Sequence, residues 1–341
     1  MRRASPRTRV LLLIGPTPRQ AGVVALIVGL AITLTNAALR GWDAFLESDG
    51  HYFQTVAGDL DAGDAARSGL AYRYGRVGLP LVARSISLGR DSLLVPALTL
   101  VTPVAFAAIV ALAVAIARRV RRSGWAGLVV LVVPGLWYGF AFALADVLLA
   151  ACALTVVWAT LARRDVPAVA GIALAALTKE IGVICGVASA MAAACDGDRR
   201  RALVRLAGLI PAGLWWLWVW SQAGQLPFLA QDRARSSAIA PPFVAIVRAF
   251  SGGPGDPLAA VLALLVGVAG LAVICRIPRE PLAWHAALWA ASTVCLGTNV
   301  LGYPLDAIRV MTPAMCVIGV SMLLLDWSPP RSARDRAGKP R

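Results

Sequence analysis

One stretch of the chain concentrates groups able to take a proton or hold a cation. GWDAFLESDGHYFQTVAGDLDAGD carries Asp43, Glu47, Asp49, Asp59, Asp61 and Asp64, six of the eighteen acids in 341 residues. Carboxylates so placed could act as a general base or hold a divalent cation. Asp49 is followed directly by Gly50, His51 and Tyr52. An acid beside an imidazole and a phenol can bind a polar substrate and accept its proton. The competing account is structural: Ser48 or Asp49 caps a short helix beginning near Gly50, and the other acids form a solvated face.

The next stretch, AYRYGRVGLPLVAR, alternates Tyr72 and Tyr74 with Arg73 and Arg76. Guanidinium forks match phosphate oxygens, and tyrosine suits a membrane interface, so a lipid phosphate or pyrophosphate is a natural ligand. Simple interfacial anchoring would use the same residues. Further on stand Lys179 and Glu180, inside an apolar run. The chain has 31 Arg and two Lys, the other being Lys339. A lone Lys beside a Glu at membrane depth is costly, and such residues usually face a cavity and mark a function. A local ion pair closing a helical hairpin is the alternative. Asp146 opens an apolar run, where a helix dipole would favour it anyway. Asp306 and Arg309 open the last run, and Arg309 could reach a phosphate or pair with Asp306 or Asp146.

The elements that must position these groups follow from composition. Apolar residues make up 59% of the chain and charged residues 15%, and the mean hydropathy is +0.72. A soluble fold of this size could not hide so much apolar surface. That excludes an ordinary cytosolic enzyme, a secreted disulfide scaffold and a disordered protein. The net charge of +15 does not indicate nucleic acid, because the arginines sit in short clusters between apolar runs, the pattern of the positive-inside rule. Cys152, Cys185, Cys195, Cys275, Cys295 and Cys316 lie in or at the ends of apolar runs with no CxxC pairing, so they read as packing residues.

Runs long enough to span a bilayer are 21–39, 92–117, 124–140, 146–162, 203–221, 258–275, 282–298 and 310–326. The stretch 167–195, broken by Thr178-Lys179-Glu180, reads as two half-helices meeting at a polar turn. The expected fold is therefore an all-α polytopic membrane protein of about ten transmembrane or half-membrane helices. Residues 1–20 form a cytoplasmic lead-in, without a signal-peptide cleavage site. Residues 21–326 form the membrane domain, and 327–341 a basic tail expected to be disordered.

With the N-terminus inside, the cytoplasmic pieces hold 22 of the 33 basic residues and only 6 of the 18 acids, which sets both termini in the cytoplasm. Two outer loops are long, about 40–91 and 222–257, and loops of that length are usually functional or disordered. In the first, Leu79, Val82 and Ile86 recur at helical spacing with Arg84 opposite and Pro80 in the first turn. That predicts a helix lying along the outer membrane surface. His285, with no polar neighbour, reads as packing. Trp215, Trp216, Trp218 and Trp220 cover all faces of one helix and read mainly as packing or interfacial belt.

The order of these features resembles the C-type (GT-C fold) superfamily of integral membrane glycosyltransferases, bacterial members in particular. ESDGHYFQTVAGD is similar to the acid-plus-Tyr pattern of that family's first outer loop. YRYGRVGLPLVAR resembles the second surface helix of the loop, and Asp146 matches an acid opening a later span. GIALAALTKEIGV resembles a small-residue helix, Leu-Thr-Lys turn and second helix. Arg309, before a Pro, resembles an arginine opening a late span. The resemblance covers roughly residues 20–325, with one Asp49 where some relatives carry an acidic pair and with no C-terminal outer domain.

The resemblance implies transfer of a sugar from a polyprenyl-phosphate donor to an envelope glycan, lipid or protein at the extracytoplasmic face of the plasma membrane. Asp49 would be the base of a single inverting displacement. Arg73, Arg76, Lys179 and Arg309 would neutralise the leaving phosphate, and Asp146 would position the acceptor or, with Asp49, help hold Mg or Mn. His51, Tyr52, Tyr72 and Glu180 complete the expected substrate-binding set. The partners would be the donor, the acceptor and membrane lipid, with no nucleic acid. Two rivals use the same features: a transporter or flippase of lipid-linked sugar, and a non-catalytic membrane partner in envelope assembly.

Overall fold

The computed structural model describes residues 15–47, 49–61, 71–228, 240–278 and 280–325. Ser48, Asp64, the N-terminal lead up to residue 14 and the tail from 326 lie outside the described residues. Every regular element among the described residues is helical. Six stretches are long and apolar enough to cross a membrane: Pro18–Arg40, Asp91–Arg119, Ala145–Ala162, Arg199–Ala223, Pro257–Arg276 and Pro304–Met322. A helical membrane protein is the class they fit.

The chain begins with α1 (Pro18–Arg40), whose Thr17 and Gln20 form a reciprocal cap ahead of Pro18. A short loop helix follows, α2 (Gly50–Gly58), and then α3 (Gly78–Ile86). The long α4 (Leu94–Arg119) packs along α1. The central helix α5 (Ala145–Ala162) is buried on almost every side, packed by α4, by α6 (Asp165–Thr178) and by the last helix of the bundle. Next come α7 (Val183–Cys195), α8 (Arg199–Ala207) and α9 (Ile210–Ala223). The remaining helices are α10 (Val244–Phe250), α11 (Pro257–Arg276), α12 (Pro281–Val294) and α13 (Pro304–Met322). Proline in the first turn of α9, α11, α12 and α13 marks four helix starts, where its missing N–H costs nothing.

Outward faces carry the apolar excess that composition demands. On α1 the side chains of Val24, Ile27 and Leu34 are more than half exposed. In water that would be unfavourable, and lipid removes the penalty.

Several boundaries differ from the sequence expectation. The run 124–140 is a 3₁₀ helix over Gly124–Val132 followed by a single α-turn, Pro134–Tyr138. Pro134 forces Val133 out of the helical region, to φ −76° and ψ 110°. Nine residues of 3₁₀ helix still advance about 18 Å. The run 203–221 is broken at Gly208–Leu209 between α8 and α9, and 282–298 ends as helix at Val294. In α3 the buried stripe is Gly78, Leu79, Pro80 and Ala83. Val82 is half-buried and Ile86 is exposed, because the N-terminal half of that helix does the packing.

The interrupted stretch 167–195 forms two half-helices, as its pattern predicts. Lys179 is fully extended (φ −155°, ψ 145°), one 3₁₀ turn covers Glu180–Gly182, and α7 resumes at Val183. The hairpin is tight at Gly182, where a Cβ would strike the Ala175 carbonyl. All six cysteines are free, with Cys152, Cys185 and Cys316 buried.

Candidate active site

Seven of the polar residues singled out in the sequence, Asp49, Arg73, Arg76, Asp146, Lys179, Glu180 and Arg309, meet at one end of the bundle, where α5 and α13 begin and α6 ends. Asp49 immediately precedes α2 but does not cap it: its side chain makes no hydrogen bond to the helix N-terminus. Its carboxylate turns instead to two arginines, with Oδ1 2.7 Å from Arg73 Nη1 and Oδ2 3.3 Å from Arg309 Nη2. The capping account of Asp49 therefore does not describe this fold.

Arg309 sits in the second turn of α13 and faces three acids. Besides Asp49, its Nε is 3.4 Å from Asp146 Oδ2 and its Nη1 is 3.6 Å from Asp306 Oδ1. That Nε is buried and has no hydrogen-bond partner in the structure. Asp146, in the first turn of α5, takes a second cation: Lys179 Nζ lies 2.5 Å from its Oδ1. Lys179 and Glu180 do not pair with each other as a hairpin clasp. Glu180 accepts from Arg76 twice, Nε at 2.9 Å and Nη2 at 2.6 Å, and from the Tyr72 hydroxyl at 3.3 Å. The Arg76 Nη2 also contacts the Tyr72 hydroxyl.

Aromatic faces support the arginines. Arg73 lies over Tyr52 at 4.4 Å and near Tyr72 at 5.6 Å, and Arg76 lies over Tyr72 at 4.1 Å. Such stacking suits a weakly hydrated guanidinium. His51 is exposed and stacks on Tyr52, so it joins the site's edge and not the ion cluster. The other described loop acids stay away: Glu47 pairs with Arg40 on the surface, and the Asp59 carboxylate accepts from the Asp61 backbone N–H.

Two devices place the arginines. Trp215 Nε1 donates to the Tyr74 carbonyl at 2.6 Å, and Trp216 Nε1 donates to the Gly75 carbonyl at 3.1 Å. The backbone between Arg73 and Arg76 is thus clamped to α9. Gly78 then lets α3 lie directly on Thr178, at the end of α6 and next to Lys179; a Cβ there would strike the Thr178 backbone. Sequence reading assigned the tryptophans to packing and missed the clamp. Their spacing gave no clue, since the acceptors are carbonyls 141 residues away.

Burial alone would push the Asp49 carboxyl up. Arg309, then Arg73, Arg76 and Lys179, outweigh that and hold its pKa below the ordinary aspartate value. Four cations (Arg73, Arg76, Lys179, Arg309) face three enclosed acids (Asp49, Asp146, Glu180), with Asp306 at the rim.

No family model, curated protein or solved structure matches the chain.

The expected cation site does not fit this donor arrangement. Among the described residues no three His, Cys, Asp or Glu side chains gather as metal ligands. Between Asp49 and Asp146 the Arg309 guanidinium occupies the bridging position, where a divalent ion would meet like charge.

An apolar groove of about 340 Å³ lies between α3, the end of α6 and α9. It is lined by Leu60, Val77, Leu81, Leu177, Pro211, Leu214, Trp215 and Trp218. Val77 directly follows Arg76, and Leu177 lies two residues before Lys179. The segments that carry Arg76 and Lys179 each give the groove one or more side chains, α9 and Leu60 supply the rest, and Arg309 comes from α13.

Proposed function

We propose that the chain is a membrane glycosyltransferase resembling the C-type superfamily. It would move a sugar from a polyprenyl-phosphate donor to an envelope glycan, lipid or protein at the extracytoplasmic face. The observation that carries this reading is a cluster of four cations whose Arg76 and Lys179 stand within two residues of the groove-lining Val77 and Leu177. That combination suits an amphiphile with a phosphate head: the head at Arg73, Arg76, Lys179 and Arg309, the isoprenoid chain along Val77, Leu177 and Trp218.

In this reading the acceptor hydroxyl loses its proton to Asp49 as its oxygen attacks the anomeric carbon. The bond from that carbon to the phosphate oxygen breaks in the same step, with inversion. The electron pair leaves on the polyprenyl phosphate, where fixed cations in a low-dielectric site offset the developing charge. Tyr52 and His51, at the open edge beside Asp49, would contact the acceptor. About ten membrane or half-membrane segments, both termini cytoplasmic, would put this end of the bundle outside.

The broken pair α6 and α7 gives the transporter reading its one supporting observation, since discontinuous helices also build transport sites. Gradient-dependent uptake by purified protein in vesicles would favour it.

The deciding experiment expresses wild type and Asp49→Asn in a deletion strain and compares lipid-linked sugars and surface glycans by mass spectrometry. Wild type is expected to restore one missing sugar, and Asp49→Asn to fail at equal membrane abundance. Equal restoration by both would remove Asp49 as the base.

A further inference from the structure

Every cation of the cluster is already engaged by a carboxylate, and the engagement is uneven. Arg76 meets Glu180 through two short hydrogen bonds, and Lys179 holds Asp146 at 2.5 Å. Arg309 is different. Its three acids stand at 3.3, 3.4 and 3.6 Å, and its buried Nε has no hydrogen-bond partner. Its charge is satisfied while its Nε–H is not. Asp49, in turn, meets Arg73 with one oxygen and Arg309 with the other among the described residues. A carboxylate held by two guanidiniums is poorly placed to accept a proton from a substrate.

A phosphate monoester or diester offers several acceptor oxygens, in a geometry that guanidinium forks fit well. It would compete best for the arginine whose donors are least used. We propose that the resting site is locked by its own carboxylates, and that a phosphate-bearing ligand unlocks it by drawing Arg309 and Arg73 away from Asp49. This rests on the reading that the site takes a phosphate amphiphile, and it adds an order of events. The phosphate must arrive before Asp49 can act. Losing both cations makes the Asp49 carboxylate more basic when the acceptor hydroxyl needs a base. No bond to the donor is formed or broken in this step, and the only exchange is of ion-pair partners.

The test is binding of dodecyl phosphate to purified full-length protein in nanodiscs, followed through tryptophan fluorescence from Trp215 and Trp218 in the groove. A competing carboxylate lowers apparent affinity, so Asp49→Asn should bind the probe several-fold more tightly than wild type. Asp59→Asn, an acid of the same loop outside the cluster, should bind as wild type does. Arg309→Gln should weaken binding and abolish the gain from Asp49→Asn when the two are combined.

Should Asp49→Asn fail to fold, Asp306→Asn serves in its place. That carboxylate is 35% exposed and is the third competitor for Arg309, so its removal should also tighten binding. Unchanged or weaker binding by the foldable variant overturns the lock and leaves the phosphate site standing. Absence of binding by wild type and variants alike overturns the phosphate reading itself, and the lock with it.

Discussion

Lys179 extends past its neighbour Glu180 to Asp146, thirty-three residues earlier in the chain, and sets its Nζ 2.5 Å from Oδ1. Both side chains are almost inaccessible, at 6% and 4%. Removing one partner of such a pair leaves the other charge buried. Lys179→Met should therefore destabilise the protein by about 3 kcal/mol, the low end of the usual range because Arg309 still faces Asp146. Combining it with Asp146→Leu should recover most of that loss without restoring activity. Thermal unfolding in detergent reads the stability, and the complementation assay reads the activity.

Asp49→Asn preserves size and removes the proposed base. If general-base catalysis is its role, transfer should fall by about 10²- to 10⁴-fold. Donor binding should not fall with it. Radiolabelled transfer by purified protein, with donor affinity measured in parallel, separates the two.

Acid should act on the same residue in a defined direction. The folded pKa of Asp49 is held below its ordinary value, and the unfolded value is about 3.9. The stabilisation is complete above the unfolded value and is lost as pH falls through the folded one. Wild-type melting temperature should drop below about pH 4, with a component that Asp49→Asn lacks. In kcat/KM, which reports the free enzyme, Asp49 should add no acid limb between about pH 5 and 8. An Asp49-dependent limb in that window would contradict the two-arginine geometry.

Gly78→Ala should displace α3 from the end of α6, because the added methyl meets the Thr178 backbone. Overpacking of this type costs about 1–3 kcal/mol. Gly58→Ala, where a Cβ would meet nothing within 4 Å, is the matched control and should be neutral. Comparing their melting temperatures checks the close approach.

Trp215→Phe keeps a ring in the groove but leaves the Tyr74 carbonyl without its donor. A stability loss of about 1 kcal/mol is expected. Under the proposed transfer reaction, a rise in donor KM should exceed any fall in kcat, since the loosened segment carries Arg73 and Arg76. Steady-state kinetics on the variant measures that split.

Much of this architecture is legible along the chain. The apolar runs place α1, α4, α5 and α11 within a few residues, because a spanning helix needs length and uniform hydrophobicity, and both are local properties. Charge inside an apolar run marks Lys179 and Glu180, since an ion there needs a partner wherever that partner lies. The six loop acids are visible as a group. Their sorting is not, because Asp49 reaches the cluster while Glu47 and Asp59 remain in local contacts.

The pairings belong to the folded molecule. Sequence adjacency suggests Lys179 with Glu180, but the extended backbone at Lys179 turns the two side chains toward different segments, α5 and the turn at Arg76. Arg309 meets Asp49 across 260 residues. The groove is equally silent in the sequence, as Leu81, Leu177 and Leu214 are ordinary apolar residues until α3, α6 and α9 bring them together. Composition and period depend on each residue's own transfer energy. Which charge neutralises which depends on distances of a few ångströms between segments, and only packing sets those.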